Sequence, residues 1–331
     1  MVAEGSGWRA ISMAAFTAEF SLTDGAVKST PRRAFTAPLR AVYNPTMKPE
    51  VDLLASYWTL AVGAVPHTGP EYSSVEFRVR VEQAAKAGFT GMGLWHADLE
   101  HTLRRHSLAD MKKILTDNGI RHVELEFLTG WFNDGEEKAQ SDVTKKLLFE
   151  AAAALGARAI KVGDFTNQKC PLPKLIERFA GLCREAENYG TRVAFEMMPF
   201  SIISSLEGAL ALAKGADAKN GGIFFDLWHM VKLNIPYDAV ANFPAQYSLG
   251  MEINDGFSRE HSMPDMVEET TQHRQLCGEG EFDIKSFIAK IQAAGWTGPW
   301  GIEVLNKKLR QEDIHTLAPK VYRTTIAQFG T

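Results

Sequence analysis

Cysteine is scarce and poorly spaced for any structural use. Cys170, Cys183 and Cys277 are odd in number, far apart and form no CxxC pair. Neither a disulfide framework nor a zinc-thiolate site is indicated, and a reducing, cytoplasmic location is expected. An excess of charge is also missing: 36 Lys and Arg stand against 40 Asp and Glu, a formal net charge of -4, which argues against a nucleic-acid or anionic-membrane partner. The longest apolar stretch, around residues 53–65, is interrupted by Ser56, Tyr57, Thr59 and Gly63 and falls short of the roughly 18 residues a membrane span needs. No basic segment leads into an apolar stretch with a small-residue cleavage site, so no secretory signal is expected. No GxGxxG and no GxxxxGKS/T occurs, which removes the two common phosphate-binding loops.

What is present is ordinary for a small-molecule enzyme: 331 residues, 45% hydrophobic and 23% charged. Residues 1–46 are rich in Ser, Thr, Ala, Pro and Arg, with Pro31-Arg32-Arg33 and Pro38 as breakers. They read as an extension or arm, and Met47 is a conceivable alternative start. From residue 52 onward one beat repeats: amphipathic helix, Gly, a few polar residues, then a short β-rich apolar run. Strands are expected at about residues 52–60, 90–95, 120–127, 157–162, 191–197, 221–229, 246–253 and 299–304. Helix starts are expected at Ser73 with Glu76 and at Ser204 with Glu207, as capping boxes, and also at Ser107, Pro171 and Asp283. A shorter helix is expected around 236–243 and the last at 311–328. Helices that end in Gly and re-enter a short apolar run indicate βα units on a parallel sheet. Eight units over about 280 residues fit an α/β fold of the (β/α)8 TIM-barrel type, one domain over residues 47–331, better than an open doubly wound sheet. Residues 255–282 break the beat as a long polar loop after the seventh strand, where barrels place lids or binding loops.

Four of the apolar runs end in an acid: Glu196, Asp226, Glu252 and Glu303, at or next to the ends of strands five to eight. In a barrel, strand C-termini form the active-site face, so the four carboxylates would converge. Together they would repel unless a cation binds or some are protonated, and a divalent metal is the economical solution. Lys161, at the end of strand four, is either compensating positive charge or a structural ion pair. Trp58, Trp95 with His96, Trp131 with Phe132, and Trp228 are candidate rings at the mouth, suited to a sugar face or an aryl group. Glu124 and Glu126 share a face of strand three, so one of them is expected to point inward.

The segments Phe195-Glu196-Met197-Met198-Pro199, Phe225-Asp226-Leu227-Trp228-His229, Glu252-Ile253-Asn254-Asp255 and Gly301-Ile302-Glu303-Val304 resemble successive motifs of the xylose-isomerase-like TIM-barrel superfamily, the sugar phosphate isomerase/epimerase group. The resemblance in layout covers roughly residues 50–330. It implies one divalent metal, manganese first, with magnesium, cobalt or zinc as alternatives, on Glu196, Asp226 and Glu303. The third ligand place holds Glu252 where relatives commonly have His-x-x-Asp, giving an all-oxygen site that leans toward manganese or magnesium. By the same resemblance Glu196 and Glu303 transfer protons, His229 touches substrate or acts as acid/base, and Arg274 faces a substrate oxyanion, carboxylate or phosphate. The expected function is metal-dependent isomerisation or epimerisation of a keto sugar or related polyol. The alternatives are a lyase on the same fold, either a 3-dehydroshikimate-type dehydratase or a subunit cleaving 3-oxo-glycosides including C-glycosides, and a non-catalytic barrel that binds a ligand or supports a partner. The net charge and the His distribution speak against the DNA-repair endonucleases of the superfamily. A homo-oligomer or a partner subunit stays open.

Overall fold

In a computed structural model, which describes residues 51–166 and 168–330, eight parallel strands close into a barrel in sequence order. They are β1 Leu53–Ala55, β2 Gly91–Trp95, β3 His122–Leu128, β4 Ala159–Val162, β5 Val193–Glu196, β6 Gly221–Asp226, β7 Ser248–Ile253 and β8 Trp300–Ile302. Closure is made by β1 on β8, with Leu54 opposite Gly301. The expected extension at residues 1–46 lies outside the described residues. Among the described residues no helix is long and apolar enough to cross a membrane.

Glycine sets the rhythm where it was expected to. Gly88 ends the helix Phe77–Ala87 at φ 115°, its N–H bonded to the carbonyls of Ala84 and Ala85, a backbone conformation that favours a residue without Cβ. Several local expectations are corrected. The first strand stops at Ala55 and residues Tyr57–Leu60 turn into a short helix, because Ser56 breaks an apolar run that had no period to arbitrate it. Ser73 does not cap the next helix: its hydroxyl bonds Val62 O, and Glu76 is itself the cap, accepting from Val79 N. Ser205 rather than Ser204 caps the helix Leu206–Ala216. The run 221–229 is a strand only to Asp226, after which Leu227–Lys232 is helical. The polar loop 255–282 contains a helix, Met266–Gln272. The shorter helix is Tyr237–Ala241 and the last is Ile314–Ile326. A helix not expected, His96–Thr102, follows β2 directly.

Most of the apolar core lies between the barrel wall and the outer helices. The barrel interior has a small apolar plug of its own, Ala159, Ala194, Phe224 and Leu249. Side chains alternate along a strand, so Lys161, Glu196 and Asp226, each two residues further on, stand one layer above that plug. Glycine makes the room. A Cβ on Gly250 would run into the ring of Phe224, and one on Gly301 into Cγ of Glu252. Gly250→Ala is therefore expected to destabilise the protein by about 1–3 kcal/mol through overpacking, read as a lower denaturation midpoint at unchanged slope.

Candidate metal centre

Strand register brings the acids together. Asp226 pairs laterally with Glu252 and Glu252 with Gly301, while Glu196 sits beside Phe224. Each of Glu196, Asp226, Glu252 and Glu303 is buried, and each offers one oxygen to a group whose members all lie within 4.8 Å of one another. Glu126 of β3 joins them: Tyr57 N donates to its Oε1 (3.3 Å), and its Oε2 is 3.7 Å from Lys161 Nζ. Glu124 also points inward but toward the opposite end, paired with Arg158, which bonds Leu249 O. Both acids of β3 thus face the interior at two heights, where one was expected.

Two cations stand among these five carboxylates. Lys161 is fully buried, 2.6 Å from Glu252 Oε1 and 3.8 Å from Glu303 Oε1, with the Phe224 ring centroid 4.4 Å from its Nζ. Arg274, carried by the loop after β7, reaches Asp226 Oδ2 (2.9 Å) and Glu303 Oε2 (3.0 Å). Its Nε and Nη2 bond Thr270 Oγ1 at 3.1 and 2.8 Å, and Nη2 lies 3.4 Å from His229 Nε2. Every nitrogen of the guanidinium has a protein partner, so Arg274 serves here as counter-charge to the acids. The loop is fastened from within by a buried ion pair, Lys232 Nζ to Glu269 Oε1 at 2.5 Å.

Burial and crowding push three of the acids up. Burial raises Glu126 to about 8, against the pull of Lys161 and helped by Glu303 and Glu196. Glu252 is raised well above the carboxylate range for the same reasons, and Glu303 is raised by its burial. Asp226 is the exception: burial would lift it, but Arg274 and His229 outweigh this and hold it below its ordinary value. Lys161 moves up because Glu126 and Glu252 overcome the effect of burial. The cluster therefore carries more negative charge than it can hold bare.

The donor set fits a divalent cation. Four hard oxygen donors converge, and Glu252 Oε2 is buried with no protein partner. An orphaned buried carboxylate oxygen is costly unless something binds it. Glu252 Oε1 is already taken by Lys161 and by Ser56 Oγ, so the two oxygens of one carboxylate have different tasks.

The other expected residues scatter. His229 stands on the first turn after β6, where Asp226 caps the helix by accepting from His229 N (3.2 Å); its Nε2 is 3.5 Å from Glu196 Oε1 and its Nδ1 is buried without a partner. Trp58 and Trp95 pack together (5.0 Å) in a separate aromatic cluster with Tyr57, Phe127, Met198 and Leu305. His96 Nδ1 accepts from Phe127 N, and burial lowers its pKa. Trp228 is fully buried, with Lys232 and Arg274 near its ring. Trp131 and Phe132 go to the main core, not to the mouth. Sequence reasoning missed Ser56, Thr270 and Asn254, which donates to Asp226 Oδ2 at 2.8 Å. Asn254 could have been found by parity, two residues beyond Glu252 on the same strand line.

A (β/α)8 barrel with a ring of buried acids at its strand ends defines the class. A family model, the xylose isomerase-like TIM barrel, matches residues 81–325, and the chain belongs to that family. A 3-dehydroshikimate dehydratase of Pseudomonas aeruginosa is 23% identical over 235 residues, 70% of this chain and 36% of the relative; the chain spans about a third of the length of the curated relatives it matches. Among solved structures, the IOLI protein with a binding zinc atom superposes at TM-score 0.71 with 18% identity, covering 84% of this chain and 98% of that one. D-psicose 3-epimerase in the presence of D-fructose superposes at 0.63 with 15% identity, covering 84% and 98%. At such identities these likenesses establish the fold.

Proposed function

We propose that the protein is a divalent-metal-dependent isomerase or epimerase acting on a keto sugar or related polyol, by removal of a proton alpha to a carbonyl. The observation that carries this reading is the convergence of Glu196, Asp226, Glu252 and Glu303 from four consecutive strands within 4.8 Å. A divalent cation held by these oxygens supplies Lewis acidity to a carbonyl and a neighbouring hydroxyl of the substrate, with manganese the first expectation and magnesium, cobalt or zinc the alternatives. Glu196 and Glu303 come from strands on different sides of the group, so one can take a proton and the other return it. Burial raises Glu303 above the ordinary carboxylate value, a direction that favours a group able to return a proton as well as take one. His229, beside Glu196, is suited to hold or move the proton of a substrate hydroxyl, while Lys161 and Arg274 offset the charge of the acids themselves. The cluster of Trp58, Trp95 and Phe127 supplies an apolar wall.

A second reading, a lyase that expels a β-substituent after the same proton removal, is favoured by the likeness to 3-dehydroshikimate dehydratases. The same first step serves both. Metal-loaded protein incubated in deuterated water with a ketohexose panel and with 3-dehydroshikimate tells them apart. Deuterium incorporation into a ketohexose without elimination is the expected result; loss of water from dehydroshikimate would favour the lyase. Neither outcome, in protein carrying near-stoichiometric metal, would sink both.

A further inference from the structure

We propose that Lys161 and Glu252 act as one electrically neutral unit of the metal centre, Glu252 offering its free oxygen to the cation while Lys161 cancels the charge of the same carboxylate. This rests on the metal reading above and concerns what that centre selects. The two oxygens of Glu252 are unequal: Oε1 accepts from Lys161 Nζ at 2.6 Å and from Ser56 Oγ, whereas Oε2 is buried and bare. The side chain has little freedom to choose otherwise, because the absence of a Cβ at Gly301 is what admits its Cγ. Lys161 is equally committed. It is fully buried, and its neighbours are the carboxylates of Glu252, Glu126 and Glu303 and the ring of Phe224.

Charge counting gives this arrangement a purpose. Four ionised donors and one divalent ion would leave two negative charges unbalanced in a buried site, at a high desolvation cost. Arg274, on Asp226 and Glu303, cancels one. Lys161, on Glu252, cancels the other. Leaving aside Glu126, which is not among the donors, the four donors, the two cations and a doubly charged ion sum to zero, and the position held by Glu252 presents to the metal a neutral oxygen donor in net charge.

Titration calorimetry of metal-free protein with manganese chloride tests this at fixed pH. Glu252→Gln removes the carboxylate and leaves the charge of Lys161 uncompensated beneath the ion, so affinity should fall at least about tenfold. Lys161→Met should raise it by at least about tenfold for the converse reason. The double substitution deletes a neutral unit and keeps an oxygen donor, so its affinity should return to within about threefold of wild type; it also decides the matter if Lys161→Met alone does not fold. A double variant as weak as Glu252→Gln, or a Glu252→Gln that binds like wild type, overturns the proposal while leaving the metal centre standing. Asp226→Asn separates the two ideas: wild type that binds none of manganese, magnesium, cobalt and zinc, or binds them no better than Asp226→Asn, removes the metal reading and this inference with it.

Discussion

Asp226→Asn is expected to weaken divalent-metal binding by about a hundredfold or more, to abolish turnover and to destabilise the metal-free protein by about 3–5 kcal/mol, as breaking a buried ion pair from one side does. Its carboxylate accepts from His229 N, from Asn254 Nδ2 and from Arg274 Nη1, donors arriving at both oxygens. An amide has one accepting oxygen, so in either orientation its NH2 faces a donor. Asp226 is also the one acid of the cluster whose pKa is lowered. Its stabilisation is therefore present at any pH above the ordinary value of 3.8 and is lost only as pH falls through the depressed folded value. The melting-temperature gap between wild type and Asp226→Asn should persist across neutral and alkaline pH and close only in strong acid. Equal melting temperatures and equal manganese affinities would refute it.

Glu126→Gln, the same kind of change at the acid that faces Lys161 from β3 rather than from the side of β7 and β8, is expected to do the opposite. Glu126 is raised from 4.5 to about 8, so the stability gained by keeping it protonated is complete below 4.5 and disappears as pH rises through about 8. Metal-free wild type should lose on the order of a few kcal/mol over that interval from this group, with Glu252 and Glu303 acting in the same direction. Gln stays neutral and can still accept from Tyr57 N. The variant should melt with wild type near pH 5 and above it at pH 8 to 9, as measured by calorimetry across pH. Because protons and a cation compete for the same oxygens, manganese should stabilise wild type more at pH 8 than at pH 6. A variant less stable than wild type at pH 9 would show that ionised Glu126 is welcome in the fold.

These opposite signs were not legible in the sequence, although the convergence of acids was. Glu196 and Asp226 could be read because each closes a short apolar run that follows a helix and a turn, and strand periodicity then fixes their face. The acids of β3 could not be ordered, since alternation says which face Glu124 and Glu126 share but not how deep each sits along the barrel. Ser56 was hidden for a different reason: its bond to Glu252 joins the first strand to the seventh, a closure only the barrel makes. The helix start at Glu76 was misplaced because Ser73 spends its hydroxyl on the Val62 carbonyl, a partner outside the local pattern. Arg274 was singled out in the sequence as a group facing substrate, whereas its anchoring by Thr270 and its pairing with Asp226 and Glu303 depend on a helix in a loop that looked featureless.

The mouth of this barrel is lopsided. Rings carried at the ends of β1 to β3, with Phe165 and Phe200 packed against them, form one grouping, while acids and their counter-cations from β3 to β8 form another, and Lys232 with Glu269 ties down the Arg274 loop. For the polyol substrate proposed above, a chain with two similar ends would meet two dissimilar surroundings and would not be equivalent to itself turned end for end. The choice of which carbon loses its proton would then follow from the distribution of oil and charge around the rim before any individual hydroxyl is recognised.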